Sequence, residues 1–427
     1  MFAASNNQSL VKNTSYNVVV PFYIYAALSF LVATILLFAS TTSFTGHYFH
    51  PHILAITHTL ALGWGTMIIL GASHQLVPVL IESKLHSNLL GYASFVLAGF
   101  GIPFLVYGLH QFKLGWPSQL GGWLVLLGII SYLINLAISM VNSKIESIHA
   151  IYVFTATFWL LLTMSLGLAQ VYNFTRIILP FDSLHYLSLH AHSGIIGWFL
   201  LLIIGVASRL IPMFLISKYN NPKLLWLIFI LINASLFGFI WLFLNPLANA
   251  FNFIPVLIIL VAIILFVYYC FAAYKLRIRK HVDEQMKLSL LSVVMLLLPI
   301  IVLIAVIVAL MFDNQPNNRL VLTYGFIIFF GWITAIILGM TFKTLPFIMW
   351  NKIYHHRSGL GNTPNPKDLF SSKIFNAMGI AYLVGFLVFA IGILLANISI
   401  LNIGAVLLLL TAVLYNFNIV KLIFHNP

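Results

Sequence analysis

Three segments of the chain align without a gap at a fixed spacing of 134 residues. The first carries His58, Gly63, Trp64, Gly71, Gln75 and Pro78, and the second carries His192, Gly197, Trp198, Gly205, Arg209 and Pro212. The third keeps Gly331, Trp332, Gly339, Lys343 and Pro346 but has Phe326 where the others have histidine. Self-similarity at one period means one unit copied, so three copies predict a pseudo-threefold bundle.

What the unit is made of follows from composition. The chain is 62% apolar and 6% charged, with mean hydropathy +1.07, whereas charged residues make up roughly 25% of a soluble domain. This is an integral membrane protein. Apolar stretches run near residues 18–40, 51–81, 87–109, 119–140, 147–172, 184–216, 224–244, 253–274, 289–312, 319–348, 375–396 and 399–423. Each is long enough to cross a hydrocarbon core, which takes about 20 helical residues, and lipid forbids an open strand edge. The expected fold is therefore all-α, with twelve transmembrane helices as three four-helix repeats, over residues 17–145, 146–285 and 286–427. Spans 2, 6 and 10 carry the motif. No Pro/Gly/Ser-rich linker or low-complexity run interrupts the chain, which reads as one membrane domain.

Lys and Arg fall on alternate loops. One side holds Lys12, Lys84, Lys144, Arg209, Lys218, Lys223, Lys275, Arg277, Arg279, Lys280, Lys287, Lys343, Lys352, Arg357, Lys367, Lys373 and Lys421; the other holds only Lys113, Arg176 and Arg319. The positive-inside rule makes the first side, and both termini, cytoplasmic. The net charge of +13 is then topology, not a nucleic-acid surface, and a basic loop such as Lys275 to Lys280 meets anionic lipid headgroups. The polar start, Met1 to Tyr16, precedes an apolar stretch long enough to span, so the first helix reads as retained rather than cleaved. A single Cys270 excludes an internal disulfide, a Cys-x-x-Cys-His haem attachment and a thiolate cage. The polar loop Asn351 to Lys373, with His355, His356 and Arg357, reads as a solvated connection.

Eight of the fifteen histidines crowd the outer end: His47, His50, His52 and His58 on span 2, His110 in a loop, and His185, His190 and His192 on span 6. Ionisable groups inside a bilayer are expensive and mark sites. His58 and His192 occupy one repeat position, so threefold symmetry sets them at matching depth around a shared cavity. Neutral imidazole binds haem iron, copper and zinc, and two histidines on facing helices are what a six-coordinate b-type haem needs. His185, seven residues before His192, shares its helix face and extends that set, whereas His190 points some 200° away, towards a different neighbour. His52, at the outer rim, is a further candidate metal ligand. The competing reading for each is a plain hydrogen bond to a carbonyl of the next helix.

The motif glycines recur eight apart, where small residues let helices, or a flat macrocycle, approach closely. Trp64, Trp198 and Trp332 are core residues or stack on a cofactor, and the ring of Phe326 could pack on a macrocycle but cannot bind iron. Arg209 and Lys343 snorkel to headgroups. No span carries a carboxylate, since Glu82, Glu146, Asp182, Asp283, Glu284, Asp313 and Asp368 all fall outside, which argues against proton pumping.

Twelve helices in three repeats, with outer-face histidines on spans 2 and 6, resemble subunit I of the haem-copper oxidase superfamily. The spacing His58, Gly63, Gly71, Pro78 and His192, Gly197, Arg209 resembles more closely the NnrS family of membrane haem and copper proteins. That resemblance implies a bacterial inner-membrane protein holding haem b, with copper as an alternative metal. It implies nitric oxide or another diatomic gas as ligand, or electron exchange with a respiratory partner subunit. Span 10 has no histidine, span 7 lacks a histidine pair, and Ile196 stands where an oxidase carries tyrosine, so no oxidase or nitric-oxide reductase centre is complete. Two rival expectations come from other classes. One is a metal or small-solute transporter capturing Cu or Zn at the outer histidines; the other is a structural subunit whose sites have decayed.

Overall fold

The computed structural model describes residues 14–143, 145–247, 249–313, 316–354 and 363–425. Lys12, Lys144, His355, His356 and Arg357 lie outside them. Twelve helices are long and apolar enough to cross a membrane: Tyr16–Ala39, Pro51–Leu80, Asn88–His110, Trp116–Val141, Ile148–Asn173 and Leu187–Leu215, then Pro222–Leu244, Phe253–Lys275, Glu284–Asp313, Asn318–Tyr354, Ser372–Leu395 and Ile398–Ile423. They are spans 1 to 12. Among the described residues there is no β-strand, only an isolated bridge between Ser217 and Arg277.

Local chemistry fixes the helix ends. Ser87, Asn221, Asp283, Ser371 and Asn397 cap spans 3, 7, 9, 11 and 12, each side-chain oxygen accepting an N–H of the first turn, and Pro51 and Pro222 sit where the missing N–H costs nothing. Spans 2 and 6 stop on a residue in the left-handed region, Glu82 at φ 46° and Ile216 at φ 52°. Asn135 brackets Ser87 with both halves of its amide, and Asn418 does the same to Ser371, which clasps spans 3 to 4 and 11 to 12.

Spans 2, 6 and 10 form the interior, with 78% of their most apolar stretch buried against 22–50% for the other nine. Each widens into a π-helical segment, at Thr59–Thr66, Ser193–Leu200 and Ile327–Ile333. The wider turn frees carbonyls and hydroxyls for cross-helix bonds, as such bulges do near functional sites. Trp198 donates its indole N–H to Thr66 (3.0 Å), Trp64 donates to Thr334 (3.1 Å), and Thr334 donates to the Phe329 carbonyl (2.7 Å). The tryptophans thus collar the three inner helices at mid-bundle. Thr66→Val strands the buried Trp198 N–H and should cost about 1–3 kcal/mol, read as a lower thermal midpoint in detergent. A wild-type midpoint would show the bond to be dispensable.

Gly71 and Gly205 bring these inner helices onto spans 1 and 5, where an added Cβ would meet Phe22 and Tyr152, and Gly339 faces Ser289 of span 9. Helix packing accounts for all three. No cofactor is needed to explain them.

Candidate functional site

The end of the bundle that carries His58 holds a cavity of about 180 Å³ between spans 2 to 6, with Phe329 of span 10 in its wall, lined mostly by apolar side chains. Two imidazoles enter it. The Nδ1–H of His58 donates to the Leu54 carbonyl one turn back (2.8 Å), and that of His190 donates to the Thr163 carbonyl of span 5 (3.1 Å). Both carbonyls can only accept, so both rings are fixed with the proton on Nδ1 and the lone pair on Nε2. A carbonyl that accepts from the other ring nitrogen in this way orients a ligating histidine and raises its basicity.

The two rings lie 6.1 Å apart between centres and within 19° of parallel. A metal–imidazole bond of about 2.0–2.1 Å, plus roughly 1 Å from nitrogen to ring centre, puts two imidazoles about 6 Å apart when they hold one metal from opposite sides. The donor chemistry and spacing therefore fit a single centre between His58 and His190. Gly167 makes the fit close, since a Cβ there would stand 2.7 Å from the His190 ring.

His192 lies elsewhere. Its Nδ1–H donates to the Ser188 carbonyl (2.8 Å), and its Nε2 accepts from the Tyr324 hydroxyl of span 10 at 3.3 Å. Its ring stands 5.1 Å from Phe239 and 5.9 Å from Tyr324. The ring that faces His58 is thus His190, and the two histidines of the His190-Ala191-His192 segment address separate neighbours. Span 6 meets span 2 through one and spans 7 and 10 through the other.

The remaining candidates are more dispersed. His185 is exposed among Phe181, Tyr186 and Phe243. His52 stacks on His110 at 4.5 Å, has His50 at 4.9 Å, and lies 3.3 Å from the Ser43 hydroxyl. Trp64 is buried between Phe30 and Tyr415, and Trp198 lines the cavity wall while serving the mid-bundle collar. Phe326 stacks with Phe330, Phe386 and Phe389, an all-aromatic filling at the position where the other two segments have histidine. Among the described residues no three His, Cys, Asp or Glu side chains converge on a metal position, so the donor set of the site is a pair.

Among the described residues, one side chain of the cavity wall has a buried polar atom without a partner. The Nε2 of Gln170, in the cavity wall two turns beyond Thr163 on span 5, is buried and unbonded. Burying an amide N–H without an acceptor costs about 1–3 kcal/mol, so an acceptor on a bound group would relieve it. Nothing in the sequence singled out Gln170, or Tyr324 as the neighbour of His192. The one available signal was the pair of histidines two apart, which on a helix must serve two sides. No protein-family model matches the chain, and no curated protein matches it.

Proposed function

We propose that this chain is a haem-binding membrane protein, resembling the NnrS family and distantly subunit I of the haem-copper oxidases, in which His58 and His190 would hold a b-type haem. The reading rests on one observation, two near-parallel imidazoles 6.1 Å apart in an apolar cavity, each with its proton held on Nδ1. Carbonyls of Leu54 and Thr163 hold the tautomer, the aliphatic wall keeps water from the centre, and Gln170 offers a donor to an acidic or carbonyl group of the ligand. When bound, the haem would supply a one-electron iron couple, and a diatomic gas would reach the iron only where one of the two histidines gives up its position. A cavity of 180 Å³ falls below the roughly 300 Å³ of ordinary ligand sites, so a macrocycle would have to displace wall side chains such as Leu105, Leu109 and Leu168 while spans 2 and 6 keep the two imidazoles at their spacing.

The same reading takes the twelve helices as three four-helix repeats. It is supported by the π segments opening at Thr59, Ser193 and Ile327, each 134 residues from the last, and by the serial bonds Trp198 to Thr66 and Trp64 to Thr334. It sets the protein in a bacterial inner membrane with cytoplasmic termini and the His58 end outside. Cysteine introduced as His47→Cys or Arg176→Cys, in a Cys270→Ala background, should then react with an impermeant maleimide in intact cells, and Arg279→Cys should not. The reverse pattern would turn the bundle over.

An absorption spectrum of the purified protein tests the cofactor. A Soret band supports haem. Bound copper or zinc without one favours the transporter reading, and neither favours a subunit that has lost its sites.

A further inference from the structure

A second and larger cavity, about 550 Å³, opens at the opposite, basic end of the bundle, among the inner faces of spans 2, 6 and 10. It lies within the roughly 300–1,000 Å³ of sites that hold small molecules. Its deep end is aliphatic, built by Ile68, Ile69, Leu202, Ile203, Ile336 and Ile337. From Ile68 to Val79 the wall follows span 2 for three turns, a depth of about 16 Å. Nearer the mouth the wall turns polar, with Gln75, Asn351 and Thr344, whose hydroxyl lies 3.0 Å from that of Tyr23.

Among the described residues, the one charged side chain in the wall is Lys343. Its ammonium meets Asp283, the cap of span 9, and stands over the Phe214 ring at 5.4 Å. Asp283 is shared, because Arg279 also reaches it at 3.3 Å. Two cations around one carboxylate leave the mouth one positive charge in excess. A long apolar bore ending at a Lys343–Asp283–Arg279 cluster with one positive charge in excess suits an amphiphile with one anion. A sugar or nucleotide would leave most of its polar atoms unpaired against isoleucine and leucine.

We infer that this cavity binds a long-chain fatty acid, its carboxylate at Lys343 and its chain running inward to Ile68, Leu202 and Ile336. The site is independent of any metal between His58 and His190. Each methylene withdrawn from water contributes about 0.8 kcal/mol, so the chain supplies most of the affinity and Lys343 sets the polarity of the headgroup.

The full chain in phosphatidylcholine nanodiscs would be exposed to palmitate bearing a diazirine at the chain terminus, photolysed and mapped by mass spectrometry. Label should fall on residues 66–73, 202–207 or 336–341, and excess palmitate should compete it away. Ala72→Trp, which fills the bore, and Lys343→Met should each lower that label at least about fivefold, near 1 kcal/mol, whereas Lys343→Arg should retain it. On the wild-type chain, which has no folding question, methyl palmitate should compete at least about fivefold less well than palmitate. Label confined to lipid-facing positions such as Phe237 or Leu387, label indifferent to Ala72→Trp, or equal competition by methyl palmitate or phosphatidylglycerol would each overturn the assignment.

Discussion

His58→Ala and His190→Ala should each strip the protein of haem, with at least about a tenfold loss of the Soret band per unit protein, since even outer-shell losses reach ten- to a hundredfold at metal sites. His192→Ala and Tyr324→Phe should leave the band in place, because that pair closes a separate contact between spans 6 and 10. His74→Ala should also leave it. That ring is buried between spans 1, 3 and 4 against Phe22 and Tyr132, with its Nδ1–H bonded to the Leu70 carbonyl, towards the other end of span 2. The measurement separates the pairing of His58 with His192, expected from the sequence, from the pairing of His58 with His190 suggested by the ring geometry. Should His192→Ala remove the band while His190→Ala spares it, the repeat-matched pair His58 and His192 holds the ligand, and the geometry around Thr163 has another purpose.

That divergence shows how far a repeat can be read. The apolar runs gave the twelve helices directly: the stretch 184–216 became Leu187–Leu215, and 51–81 became Pro51–Leu80. Burial of spans 2, 6 and 10 was legible from the motif that recurs on them at a spacing of 134 residues. What equivalent positions cannot give is which neighbour a side chain meets. On a ring of three helices each helix has two flanks, and His190 and His192, two residues apart, project to opposite ones. Rotation of span 6 about its own axis chooses between them, and that rotation is set by Trp198 reaching Thr66 and by span 5 packing on Gly197. The π segments were equally hidden, because an extra residue in a turn leaves no mark in hydropathy. Phe326 was expected beside a macrocycle; besides Phe330 of its own helix, its neighbours Phe386 and Phe389 come from span 11, which carries no motif.

The coupling between helix packing and the site gives the second large effect. A Cβ on Gly197 would stand 2.7 Å from both Cβ and Cγ of Trp159, closer than real side chains approach, and the indole N–H of Trp159 is tied to Asn233 at 3.2 Å. Trp159 therefore has little room to yield, and span 6 must back away from span 5. One turn further along span 5 is Thr163, whose carbonyl holds His190. Gly197→Ala should consequently cost about 1–3 kcal/mol of stability, the usual penalty for overpacking, and weaken the Soret band in the same protein by loosening the His190 ring. Gly325→Ala is the matched control. No side chain or backbone atom lies within 4 Å of a Cβ there, and alanine gains up to about 1 kcal/mol over glycine in a helix, so that variant should melt at or above the wild type with an unchanged spectrum. Thermal scans in detergent, read alongside absorbance, decide the matter. Equal midpoints for the two variants would mean that the recurring glycines are not held by packing, and would reopen a direct role for them against a ligand.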